Sequence, residues 1–179
     1  NILLKNCENV LTAFCRFSTD GFSNGGYTDY AEKHGRAIEV SGGRAVLLQN
    51  MSEGQNVGIN LTSGTTGASD SAKIIAVGNC LIGNSVSVYV SNTENAVFLS
   101  TLSSPSNGYH FSSETTNKGK VAVYGTVAGG TVSASAVIRS GSCGIYSGIF
   151  KQAGDNAVLV YGGTSLICGN IFPDIPKGN

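Results

Sequence analysis

Short apolar blocks, about three to six residues long, recur along this chain about every 8 to 12 residues, with Gly, Asn or Ser between them. Examples are Ala45-Val46-Leu47-Leu48, Val57-Gly58-Ile59-Asn60-Leu61, Val86-Ser87-Val88-Tyr89-Val90, Ala96-Val97-Phe98-Leu99, Val121-Ala122-Val123-Tyr124 and Ala136-Val137-Ile138. Blocks of this length are strands, since helices need about 10 to 12 residues of sustained periodicity. No stretch of the chain shows a strong helical period. The spacing therefore predicts an all-β fold: a sandwich, a barrel or a solenoid. Disorder is the competing reading of a sequence with 25 glycines, and hydrophobic residues at 41% of the chain argue against it.

Internal repetition favours the solenoid. Gly78-Asn79-Cys80-Leu81-Ile82 leads on to Asn95-Ala96-Val97-Phe98-Leu99, and Gly141-Ser142-Cys143-Gly144-Ile145 leads on to Asn156-Ala157-Val158-Leu159-Val160. Arg44-Ala45-Val46-Leu47-Leu48 and Ser135-Ala136-Val137-Ile138 are shorter echoes. Steps of this size suit one coil of a right-handed parallel β-helix, three short strands joined by turns, with the inward side chains buried only when coils stack. A β-sandwich is the alternative. In the stack Cys80, Cys143 and Cys168 are expected to point inward as a loose ladder, and turn asparagines to stack on their neighbours. The whole chain, 1–179, reads as a single β-helical region. It starts at Asn1 with no initiator Met and no signal peptide, and so reads as a piece of something longer.

Two segments break the rhythm and read as loops projecting from the stack: about 14–35 and about 103–120. The first sets Phe22, Tyr27 and Tyr30 among Asp20, Asp29 and Glu32, and the second carries Tyr109 and His110. Sugar rings stack their C–H faces on aromatic side chains while acids and amides bind hydroxyls. Phe22, Tyr27, Tyr30 and Tyr109 are thus candidate saccharide-binding residues. Glycoside cleavage needs two carboxyl groups about 5 to 10 Å apart. Glu94 in Thr93-Glu94-Asn95-Ala96 matches Asp155 in Gly154-Asp155-Asn156-Ala157, which would place both on one edge of the stack. Asp20 and Asp29 are the other candidate catalytic pair. For each, an ordinary polar turn or a loop packed on a neighbour is the bland alternative.

Several function classes are set aside. Eleven basic residues balance eleven acidic ones, so the basic excess of a nucleic-acid surface is missing. No apolar run approaches a membrane span. Five cysteines lack a CxxC pair, and two histidines stand without neighbouring ligands, so neither a metal site nor a cofactor is predicted. The cysteines read as small apolar residues of a protein made in a reducing cytoplasm.

The stacked short strands, the Asn-Ala-Val-hydrophobic repeats, the 12% charge content and the coil-sized spacing from about Gly35 to Phe172 resemble bacteriophage tailspikes. The resemblance is one of style and carries over no catalytic residue. It implies a homotrimer of parallel chains on the virion tail, made in the host cytoplasm, which binds bacterial capsule or O-antigen polysaccharide along the outer β-helix face or between subunits. It leaves two activities open: a depolymerase, hydrolase or lyase, and a non-catalytic stalk or attachment-fibre segment.

Overall fold

The computed structural model of the chain describes residues 1–18, 35–62, 72–104, 108–129, 134–151 and 156–173. Among the described residues there is no helix. The chain enters through β1 (Ile2–Ala13), β2 (Arg16–Ser18), β3 (Arg36–Leu48) and β4 (Met51–Glu53). Three-strand rungs follow: β5 (Val57–Thr62), β6 (Lys73–Val77) and β7 (Cys80–Ile82), then β8 (Val86–Val90), β9 (Asn95–Leu99) and β10 (Leu102–Ser104). Next come β11 (Phe111–Ser113), β12 (Lys120–Tyr124) and β13 (Val127–Ala128), and then β14 (Ala134–Ile138), β15 (Ser142–Tyr146) and β16 (Ile149–Phe150). β17 (Asn156–Val160) and β18 (Thr164–Cys168) close the series.

Every strand pairs in parallel with its counterpart one rung away, which gives three ladders along one axis. The first runs β3-β5-β8-β11-β14-β17, the second β3-β6-β9-β12-β15-β18 and the third β2-β4-β7-β10-β13-β16. β3 serves two ladders because it bends at Gly42 and Gly43, both at positive φ (72° and 81°), and β1 lies alongside its length. The fold is a parallel β-solenoid, consistent with the right-handed β-helix that crossover connections between parallel strands favour. It is no β-sandwich, whose sheets are antiparallel.

Alternation along each strand fills the core. In β6 the side chains of Ile74 and Ala76 are buried while those of Lys73, Ile75 and Val77 reach outward. Their partners one rung on, Ala96 and Phe98, continue the same buried column, followed by Val121 and Val123. Each rung exposes its inner face until the next covers it, so burial is shared along the axis rather than gathered at a centre.

The corner between the second and third ladders is made alike in every rung. Phe14, Gln49, Gly78, Ser100, Gly125, Ser147 and Gly169 occupy it in turn, all at φ between 49° and 66°. The next residue points inward, and where it is asparagine it links rungs. The Asn79 side chain donates to Leu47 O at 2.9 Å, while Asn50 Oδ1 accepts the Cys15 N–H at 3.1 Å. Farther along, Asn170 Oδ1 accepts the Gly148 N–H at 2.8 Å. Asparagine stacking was expected at turns. The left-handed residue, however, is the one before it.

Three expectations need correction. Cys143 is buried, but Cys80 lies on the outer side of the third ladder and Cys168 is exposed, aligned with Tyr146. There is no inward cysteine ladder, because strand alternation turns Cys143 and Tyr146 to opposite sides of β15. Ala96 and Ala157 are not equivalent either. Ala96 stacks on Val121 in the second ladder, whereas Ala157 belongs to β17 in the first. Similar tetrapeptides start different strands because turn lengths vary from rung to rung. Lastly, the stretch 103–120 is not one projecting loop, since β11 within it is wholly buried and His110 beside it is in the interior. Of the stretch 14–35, residues 19–34 lie outside the described residues.

Candidate functional site

The outer side of the second ladder forms a groove parallel to the axis. Register places three columns there. Arg44, Lys73, Asn95, Lys120, Ser142 and Thr164 make a polar rim at the strand starts. Val46, Ile75, Val97, Ala122, Gly144 and Leu166 make an apolar floor two residues on. Leu48, Val77, Leu99, Tyr124, Tyr146 and Cys168 form the far side. Two hollows lie along this surface and meet at Asn95. One, of about 490 Å³, is bordered by Arg44, Lys73 and Glu94 over Val46, Ile75 and Val97. The other, of about 340 Å³, is bordered by Lys120, Ser142 and Thr164 over Ala122, Gly144 and Leu166. With strands about 4.8 Å apart, the six rungs extend about 24 Å.

Gly144 shapes the second hollow. A Cβ at that position would run into the Tyr146 ring, so its absence lets the ring lie over the strand. Tyr146 in turn stacks on Tyr124, with centroids 4.6 Å apart and planes at 15°. The pair offers an aromatic wall beside a polar rim. A sugar ring uses such a surface for its two kinds of face.

Charge along the rim is mostly basic. Lys73 Nζ pairs with Glu94 Oε1 at 2.9 Å, both half-exposed. Arg44 and Lys120 are exposed and form no ion pair among the described residues. Glu94 is the only acid bordering either hollow among the described residues. Glycoside hydrolysis uses two carboxyl groups, and among the described residues this groove presents one, tethered to Lys73.

Of the residues singled out from sequence, Glu94 stands in this groove. Its expected partner, Asp155, lies outside the described residues, but the strands that follow the two acids do not share an edge. Asn95 stacks on Lys73 and Lys120 in the second ladder, whereas Asn156 stacks on Ala134 in the first. Asp20, Asp29, Phe22, Tyr27 and Tyr30 lie outside the described residues. Tyr109 is half-buried ahead of β11, where its carbonyl accepts the Ser87 N–H at 3.0 Å, and it is not part of the groove. Arg44, Lys73, Lys120 and Tyr146 were missed. Aligning the starts of second-ladder strands (RAVLL, KIIAV, NAVFL, KVAVY) would have revealed a column of cations and amides before each apolar run.

The other outer surfaces differ. On the first ladder the outward Asn60, Ser112 and Val137 are buried. Ion pairs Arg36–Glu39 (2.6 Å) and Arg139–Glu114 (2.9 Å) flank them. Tyr89 between them has its hydroxyl pKa raised, first by burial and then by Glu114. On the third ladder Met51, Cys80, Leu102, Val127, Ile149 and Ile171 align in a continuous apolar column, with Leu102 48%, Val127 41% and Ile171 58% exposed.

Among the described residues no cluster of histidine, cysteine and acids could hold a metal. No helix among them is long and apolar enough to cross a membrane. No family model, curated protein or solved structure matches the chain.

Proposed function

We propose that this chain is a segment of a bacteriophage tailspike or attachment fibre that recognises bacterial surface polysaccharide, capsule or O-antigen, at the virion tail. The observation that carries the reading is the axial groove of the second ladder, with its apolar floor, polar rim and stacked tyrosines. A linear glycan needs a long, shallow, repeating surface of mixed polarity, and few globular pockets have that shape. The apolar column of the third ladder is where two further copies pack to make the trimer. Exposed contiguous apolar surface of this kind marks an association site.

Recognition without cleavage is the form of the proposal that the groove favours, because Glu94 is the one acid there among the described residues and is tied to Lys73. Depolymerisation by Glu94 with Asp155, or by Asp20 with Asp29, is the second reading. The test is calorimetric titration of the purified chain with capsule and O-antigen fragments, alongside a reducing-end assay on the same glycans. Binding that weakens in Tyr146→Ala, with no new reducing ends, is the expected result. No binding to any surface glycan of a susceptible host would remove the reading. New reducing ends abolished by Glu94→Gln would make the segment an enzyme.

A further inference from the structure

Resting on the reading of the groove as a glycan site, we infer that its ligand is an acidic polysaccharide, one carrying uronic or similar carboxylates at regular intervals along the chain. Arg44, Lys73 and Lys120 occupy the same column, on the first, second and fourth rungs of the rim. Lys73 is compensated by Glu94. Arg44 and Lys120 form no ion pair among the described residues, and three rung spacings set them about 14 Å apart. No acid other than Glu94 borders the two hollows among the described residues. The chain as a whole has zero net charge, so this local excess is a property of the groove and not of the protein. A repeating polyanion laid along the axis meets Arg44 on the first rung and Lys120 on the fourth, with the Asn95 amide between them and the Ser142 and Thr164 hydroxyls beyond. A neutral glycan would leave both cations without a partner. Nucleic acid would need far more phosphate contacts than two uncompensated cations supply.

The test uses the full chain and two forms of one glycan: a uronate-containing capsule oligosaccharide and the same oligosaccharide with its carboxyls reduced to alcohols. The acidic form is expected to bind about tenfold more tightly at low salt, an advantage that shrinks as salt screens the rim. Arg44→Gln and Lys120→Gln should each weaken the acidic form severalfold and leave the reduced form unchanged. Equal affinity for both forms overturns the inference while the glycan reading stands. Binding to neither form and to no other surface glycan overturns both. Single-stranded DNA bound as tightly as the uronate overturns the inference in favour of a general polyanion surface.

A second, independent observation lies inside the stack. Among the described residues Thr101 Oγ1, Thr126 Oγ1 and His110 Nε2 are buried without a hydrogen-bond partner, and all three residues line one small cavity of about 20 Å³. Thr101 and Thr126 take the positions that asparagines fill in other rungs, so here the inter-rung amide contacts are interrupted. We propose that a single water molecule occupies this cavity and bridges the three atoms. The volume suits one water, and such a water typically makes about three hydrogen bonds. A high-resolution crystal structure should show a density peak within hydrogen-bonding distance of at least two of these atoms, and Thr126→Val should lose it. A cavity that is empty there, or that takes up xenon under pressure, overturns the proposal.

Discussion

Asn50 and Asn79 stack in successive rungs, with the Asn50 backbone N–H 3.0 Å and its side-chain amide nitrogen 3.1 Å from the same oxygen, Asn79 Oδ1. Both side chains are buried, so every donor and acceptor they carry must be met inside the stack. Replacing Asn79 by alanine orphans two donors of Asn50 and removes a bond to the Leu47 carbonyl. Asn79→Ala should cost about 2 to 3 kcal/mol in stability, measured by denaturant unfolding. A loss under about 0.5 kcal/mol would show that the contact contributes no more than an exposed hydrogen bond.

Glycines in the corner before the second ladder are closed to substitution for a different reason. Gly141 has φ +83°, and a Cβ there would lie 2.9 Å from the Gly119 carbonyl oxygen of the previous rung. Gly125 also has positive φ (61°), but its nearest neighbour would be 3.9 Å from a Cβ. Gly125→Ala should therefore cost only the left-handed backbone penalty of about 1 to 2 kcal/mol. Gly141→Ala should cost clearly more, because the neighbouring strand must also shift. Paired thermal melts check the ranking.

His110 makes stability depend on pH. Its ring is buried, with Nδ1 2.7 Å from Ser103 Oγ, which donates to Ser87 Oγ at 2.7 Å. Burial lowers its pKa from 6.5 to about 3. The unfolded chain thus binds a proton at a pH where the folded one does not. The stabilisation is complete above about pH 6.5 and is lost progressively as pH falls towards 3, at up to about 1.4 kcal/mol per pH unit. Unfolding midpoints at pH 7.5 and 5 should differ in the parent protein, and the difference should shrink in His110→Gln. An unchanged difference would place the acid sensitivity elsewhere.

Association through the third ladder is tested by charge. Light scattering should give a trimer for the parent chain. The double substitution Leu102→Lys, Val127→Lys should lower the mass towards that of a monomer without changing the far-ultraviolet circular dichroism spectrum. A parent chain that is monomeric at all concentrations would remove the third ladder as an interface.

The longer strands were legible in the sequence because their apolar alternation stands out. Val86–Val90 was read as a block and is β8, and Val121–Tyr124 falls one residue short of β12. The third ladder was less legible: its strands, such as β13 and β16, are two or three residues long, too short to show a period. Ile145 to Phe150 was read as one block, but it spans the end of β15, the corner at Ser147 and β16. β11 was hidden because Ser112 and Ser113 look like loop residues, yet both are buried and hydrogen-bonded. The groove escaped for a related reason. Its cations are unremarkable singly and acquire meaning only once register aligns Arg44 with Lys73 and Lys120, and register depends on turn lengths that no local pattern reveals.

The left-handed residue that recurs from Phe14 to Gly169 makes that corner a seam. Between the second and third ladders every rung crosses with the same short connection, while the connections elsewhere differ widely: residues 63–72 separate β5 from β6, but only 91–94 separate β8 from β9. The stack thus has one edge where length is fixed and others where it is free. Segments can be lengthened, shortened or exchanged at the free edges while the seam holds the rungs in phase, so the spacing of the rim residues is insulated from variation in the loops. Such a scaffold can acquire a new specificity by changing one rung at a time.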